Sequence, residues 1–307
     1  MAESSSGLAS ITQGCLDHWV IEAKARTYAG RLPDYIPLLA KANPQWVAIA
    51  IKQTSGLDWE AGDRQQPFAL MSVIKPFLLL FLLEKLGFQA VFSRVGMEPS
   101  DQPFHSLAQL RQDRGFPRNP MINSGALVLA SLLPGEDGAT CAESLRQWLN
   151  LYAGSNLFLD QAMLASVRSL TNEANSALAN FLAKTSHLAP IAQTLDTYNH
   201  ICCLSGTVTD LAKLGLLLVG HSRISPVSSR TVNALMMTCG LYEASGRFAV
   251  QVGLPTKSGV SGALLSVVPG QGAIACYSPA IDQTGNSIAG LFLLEQLAQT
   301  LNLSVFA

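Results

Sequence analysis

Apolar residues recur at helical spacing near the start of the chain (Ile11, Cys15, Trp19, Ile21), which predicts an opening helix over residues 10–25. Residues 44–56, PQWVAIAIKQTSG, are rich in small and β-branched side chains and end in Ser-Gly, so they read as a strand running into a turn. The longest apolar stretch, FALMSVIKPFLLLFLLEKLG (68–87), predicts one greasy helix over 72–86, stopped by Gly87. The proline- and turn-rich residues 97–125 are expected to wall a site. Helical periodicity returns from Ala126 to about Tyr152, broken at PGEDG, and continues through 158–218, where Thr207 or Thr209 is placed to cap TVTDLAKLGLLLVG. After Arg223 the character changes. Residues 247–282 are Gly-, Val- and Ala-rich, with turn punctuation at Gly253, Pro255, Pro269-Gly270 and Pro279, and read as two or three antiparallel strands. GNSIAGLFLLEQLAQTLN then closes the chain as an amphipathic helix.

This order predicts an α+β fold: an α/β sandwich whose antiparallel sheet is assembled from both ends of the chain, flanked by helices, with a helical lobe inserted. One domain spanning 1–307 is expected, with sheet-forming parts at about 30–70 and 225–307 and a helical lobe at about 88–224.

Composition narrows the partner. The 307 residues are 49% hydrophobic, and 20 basic against 21 acidic residues leave a net charge of −1. Nothing there suits a phosphate backbone or an anionic membrane, so a small molecule is the expected partner, not nucleic acid. No apolar run approaches the roughly 20 residues of a membrane span. The first residues lack a basic and apolar export pattern. Six cysteines without C-x-x-C spacing read as reduced, mostly buried thiols, hence a cytoplasmic setting. Five scattered histidines offer no ligand spacing, so no metal site is expected.

Ser72-Val73-Ile74-Lys75 is an S-x-x-K at the mouth of the apolar helix. Side chains three apart share a helix face. A lysine pressed against apolar surface loses hydration and its pKa falls, which fits it to take a proton from the serine. The bland alternative, a capping serine and a solvated lysine, has equal weight on these four residues alone. Lys257-Ser258-Gly259, in a predicted strand, would add positive charge beside a serine nucleophile, with the glycine letting substrate backbone lie close to the strand; alone, Lys257 is as readily an edge-strand lysine. Tyr198 offers a phenol for proton relay, or a half-buried anchor. Asn119 and Asn123, in PRNPMINSGALV, offer amides for a substrate or a helix cap. Tyr242, ahead of a turn, is a pocket wall or a packing residue.

Taken together, SVIKPF, PRNPMINSGAL, YNHICCLSGTVTDLAKLG, LYEASGRFAVQVGLPTKSGVSG, VVPGQGAIACYSP and GNSIAG resemble the bacterial-type serine-dependent glutaminases, of the β-lactamase/penicillin-binding-protein fold group. The resemblance runs from about residue 30 to the C-terminus. It implies a β-lactamase-like fold and cofactor-free hydrolysis of L-glutamine to L-glutamate and ammonia. By motif, Ser72 is the nucleophile, Lys75 its base, Tyr198 a proton relay and Lys257 an electrostatic partner. Asn123, Tyr242 and Val260 contact substrate, with the Ser72 and Val260 N–H groups as the oxyanion hole. Self-association into a homo-oligomer is common in the family.

One region departs from the family pattern, in which a glutamate stands seven residues before an asparagine. Here SVRSLTNEANSALANFLAKT matches the asparagine at Asn175, and seven residues back lies Arg168. Glu173 is the only carboxylate close by. Pairing Glu173 with Asn180 restores the spacing but not the surrounding pattern. Glu173 and Asn175 are thus the substrate-binding candidates here, with the partner of the substrate's α-ammonium left open. The same machinery would also suit a β-lactam or D-alanyl peptide, which the absent export pattern disfavours. A catalytically silent binding protein would not need Ser72, Lys75, Tyr198 and Lys257 all kept.

Overall fold

Five strands pair antiparallel throughout into the main sheet of the computed structural model, which describes residues 7–170, 172–220 and 223–307. In chain order the strands are β1 (Ala48–Gln53), β2 (Asp58–Gly62), β3 (Phe68–Ala69), β4 (Phe158–Leu159), β5 (Leu204–Gly206), β6 (Thr256–Ser258), β7 (Ala263–Val268) and β8 (Gly272–Tyr277). The main sheet runs β2-β1-β8-β7-β6, so β1 from the front of the chain lies beside β8 from its end. The register sets Ala50 opposite Ala275, Ala275 opposite Leu265, and Leu265 opposite Lys257. A smaller sheet, β3-β5-β4, ties the segment before Ser72 to the middle of the chain.

Side chains alternate across a strand, and the two faces of the sheet carry different sizes. Ile49, Ile51, Leu264, Ile274 and Cys276 join a core with the helices Gln13–Arg26 and Ile288–Leu301. Ala48, Ala50, Ala263, Ala273 and Ala275 point the other way, into the core shared with the helical part of the chain. The small residues admit the helix Val208–Leu216 close to the sheet: a Cβ at Gly215 would strike Ala273 and Leu265. Thr207 caps that helix in a reciprocal box with Asp210.

The predicted 72–86 helix begins as a 3-10 turn, Met71–Ile74, and becomes α-helical over Lys75–Leu86, ending at Gly87 with φ 83°. From Lys75 to Leu83 every residue is buried, so this helix is a post through the core rather than a surface element. The predicted 97–125 loop contains a helix, Leu107–Gln112, capped by Ser106. Two departures come from the limits of periodicity. Residues 247–251, read as the start of the strand region, belong to a helix, Ser245–Gln251, because Phe248 and Val252 pack four apart into the core while Val250 is exposed. The two- and three-residue strands β3, β4 and β5 are too short to show alternation.

Candidate active site

Ser72 sits on a turn that the rest of the fold pins in place. Met71 adopts φ 47°, a conformation disfavoured for side-chain-bearing residues. On one side Leu70 N–H donates to Leu204 O of β5 at 2.8 Å. On the other, β6 runs so close that a Cβ at Gly259 would lie 2.8 Å from Leu70 O and 3.1 Å from Val73 Cγ2. The glycine of Lys-Ser-Gly therefore accommodates the Ser72 turn itself, where the sequence suggested room for substrate.

Lys75 follows one helical turn later and is fully buried. Its Nζ donates to Met121 O at 3.0 Å and to Asn123 Oδ1 at 2.8 Å. Burial pulls its pKa down from the usual lysine value to about 8. A neutral amine donating two hydrogen bonds keeps its lone pair for a third direction, which suits it to accept a proton.

Asn123 is the hub of the site. Its Oδ1 accepts from both Lys75 and Tyr198 (3.2 Å), which fixes the amide orientation, so its Nδ2 donates to Asn175 Oδ1 at 2.9 Å. Asn119 serves the backbone instead: its Oδ1 accepts from Met121 and Ile122 N–H and its Nδ2 donates to Glu98 O, holding the loop that presents Met121 O. Tyr198 is buried, and that burial pushes its pKa well above 10, so it carries its proton. Cys202, one turn along the same helix, is pushed by burial to about 11 and is likewise a protonated thiol.

Lys257 is buried on β6, its Nζ donating to Ser258 O at 2.6 Å and lying 4.5 Å from the centre of the Tyr242 ring. Burial first, and the nearby Lys75 charge second, hold its pKa well below the lysine value. Tyr242 has φ 56°, packs its ring at a tilt against Phe104, and keeps a buried hydroxyl that no group among the described residues takes up in good hydrogen-bond geometry. Val260 follows in the β6–β7 turn. Among the described residues, no turn or loop carbonyl takes up the N–H of Ser72 or of Val260.

A cavity of about 360 Å³ opens at this cluster. Ser72, Asn123, Asn175, Tyr198 and Val260 line it, so the structure brings these predicted residues to one wall. Lys75 and Lys257 stand behind that wall, fully buried. Tyr242 borders a neighbouring, more open depression on the 99–118 side. Glu173 is not brought in: it opens the helix Glu173–Lys184 from an exposed position, although Asn172 and Ala174 on either side line the cavity. The physical reason is the cap. Asn172 Oδ1 accepts from Asn175 N–H, which orients the first turn so that Asn175 faces inward. Tyr35, His105, Asn172, Asn199 and Cys202 also line the cavity and were not singled out from sequence. Asn199 and Cys202 follow Tyr198 at helical spacings one and four; Tyr35 carries no local signal.

An S-x-x-K turn backed by a Lys-Ser-Gly strand, on an antiparallel sheet sandwiched by helices, is the β-lactamase-like arrangement. The comparisons agree. The family model described as Glutaminase matches residues 30–306. A glutaminase of Synechocystis sp. is 44% identical over 284 residues, covering 92% of this chain and 87% of its own length. One from Agrobacterium fabrum is 38% identical over 304 residues, covering 96% and 98%. Among solved structures, a Bacillus subtilis glutaminase in covalent complex with 5-oxo-L-norleucine, formed from 6-diazo-5-oxo-L-norleucine, superposes with a TM-score of 0.87 at 33% identity, covering 96% of this chain and 99% of that one. The chain belongs to the glutaminase family.

Proposed function

We infer that this chain is a glutaminase that hydrolyses the side-chain amide of L-glutamine to L-glutamate and ammonia through an acyl-enzyme on Ser72. The observation that carries the assignment is Lys75: buried, one helical turn from Ser72, with two acceptors engaged and its pKa near 8. Lys75 takes the Ser72 proton as Oγ bonds to the amide carbon. The negative charge on the carbonyl oxygen meets the Ser72 and Val260 N–H groups; each such donor contributes about 2.7–4 kcal/mol in serine-hydrolase precedent. The Tyr198 hydroxyl passes a proton to the departing nitrogen and is refilled from Lys75, so ammonia leaves neutral. Water then attacks the ester by the same route in reverse, restoring the Ser72 hydroxyl and releasing the acid. Lys257, where it is charged, biases Lys75 toward its neutral form. Tyr242 supplies the hydroxyl that contacts substrate beside Ser72.

The same reading takes the enzyme as a single catalytic unit, cytoplasmic and self-associating. Five buried, unpaired cysteines and an exposed Cys15 suit a reducing compartment. Among the described residues no helix is long and apolar enough to cross a membrane.

The test is ammonia release from L-glutamine by the wild type and by Ser72→Ala, with L-asparagine alongside. Release from glutamine that disappears in Ser72→Ala is expected. Equal release by both proteins would end the assignment.

A further inference from the structure

The cavity wall beyond Asn123 presents two amide side chains, Asn172 and Asn175, at a helix N-terminus. Lys75 and Tyr198 both donate to Asn123 Oδ1, so Asn123 Nδ2 donates to Asn175 Oδ1. That relay leaves Asn175 Nδ2, on a side chain 95% buried at the cavity wall, with no protein partner among the described residues. Asn172, which is exposed but also lines the cavity, has its Oδ1 engaged by Asn175 N–H, leaving its Nδ2 as the free group. Both lie at the N-terminus of the twelve-residue helix Glu173–Lys184, where the backbone carries partial positive charge. Among the described residues none that lines the cavity is acidic. Glu173 stands in solvent, where screening shortens its reach, and Arg168 is engaged by Asp196.

A wall with free amide donors and a positively polarised helix end attracts a carboxylate, while an ammonium meets neutral hydroxyl and amide oxygens, such as those of Tyr35, Tyr198 and Asn199, and no carboxylate among the described lining residues. L-glutamine carries both. We propose that this cavity selects amides whose carboxylate has no neighbouring positive charge: a C5 dicarboxylic acid monoamide, or a glutamine acylated on its α-nitrogen. The proposal rests on Ser72 amidohydrolase chemistry as set out above and changes only which amide is preferred. The acyl transfer is the same: water is consumed, the C–N bond of the primary amide breaks, and ammonia leaves.

The experiment compares kcat/KM for glutaramic acid, N-acetyl-L-glutamine and L-glutamine in the wild type and in Asn172→Asp. Aspartate caps a helix as well as asparagine does, so the substitution keeps the fold and adds a carboxylate to the wall. The expected result is that glutaramic acid is used at least as efficiently as L-glutamine by the wild type. Asn172→Asp should then shift the ratio about tenfold toward L-glutamine, chiefly through KM. A wild-type preference for L-glutamine of tenfold or more would overturn the proposal and leave the glutaminase assignment standing, as would an unchanged ratio in Asn172→Asp. Hydrolysis of glutaramic acid without any of L-glutamine would support the proposal and displace glutamine as substrate. No turnover of any amide would overturn both.

Discussion

The pH dependence of turnover follows directly from the burial of Lys75. In the role proposed for it, the amine accepts a proton only when neutral, and burial lowers its pKa to about 8. The neutral fraction is therefore about 1% at pH 6 and about one half at pH 8, so kcat/KM should rise roughly fifty-fold between them. The limb should have a slope near one per pH unit at its acid end and flatten above pH 8. Because Lys257 also has a depressed pKa and feels the Lys75 charge, the measured midpoint belongs to the pair. The structure supplies a control. Asn123→Asp would place a carboxylate where Lys75 Nζ now meets an amide oxygen at 2.8 Å, favouring the charged amine. Its limb should move to higher pH by about one unit or more. The assay is initial-rate ammonia release at low substrate, with stability checked at each pH. A profile flat from pH 6 to 8, or a limb that Asn123→Asp leaves in place, would refute the assignment of Lys75 as base.

Three further outcomes are expected. Gly259→Ala forces a Cβ to 2.8 Å from Leu70 O, so the Ser72 turn must shift; stability should fall by about 1–3 kcal/mol and kcat by about a hundredfold, read by urea unfolding and initial rates. Asn123→Ala removes the partner of Tyr198 Oη and of Asn175 Oδ1 and leaves Lys75 with Met121 O alone; each buried group left unpaired costs about 1–3 kcal/mol, with turnover lost, and retained stability in denaturant would count against the relay. Lys75 is charged in both folded and unfolded chains below pH 8, whereas between pH 8 and 10.5 the unfolded chain holds more protons, so stability contributed by this site rises with pH across that window. The gain is about 3 kcal/mol in full. Lys75→Met should lack that rise in urea titrations at pH 7.5 and 9.5, and an identical pH response would contradict the burial argument.

The elements with sustained periodicity were readable along the chain: the opening and closing helices, β1, β7 and β8, and the apolar post behind Ser72. Periodicity failed where elements are two or three residues long, as in β3, β4 and β5, whose pairing is decided by partners distant in the chain, Phe68 with Gly206 and Phe158 with Ser205. It also misled at 247–251, where alternating apolar residues fold as a helix because Phe248 and Val252 share a core face. At the site, Ser72, Lys75, Asn123 and Tyr198 were singled out along the chain through their motifs and the family resemblance, and the fold brings them together at one wall. The far wall was not. Tyr35, Asn172 and Asn199 reach the cavity from separate segments, and only the capping bond of Asn172 explains why Asn175 faces in while Glu173 faces solvent.

The central claim is that Ser72 is the acylated nucleophile, and covalent trapping tests it most directly. The protein would be incubated with 6-diazo-5-oxo-L-norleucine at saturating concentration, digested, and mapped by mass spectrometry. The account predicts one adduct, with the diazo nitrogen lost, on the peptide carrying Ser72, absent in Ser72→Ala. An adduct confined to another nucleophilic side chain of the cavity wall, such as Cys202 or His105, or none at all, would contradict it.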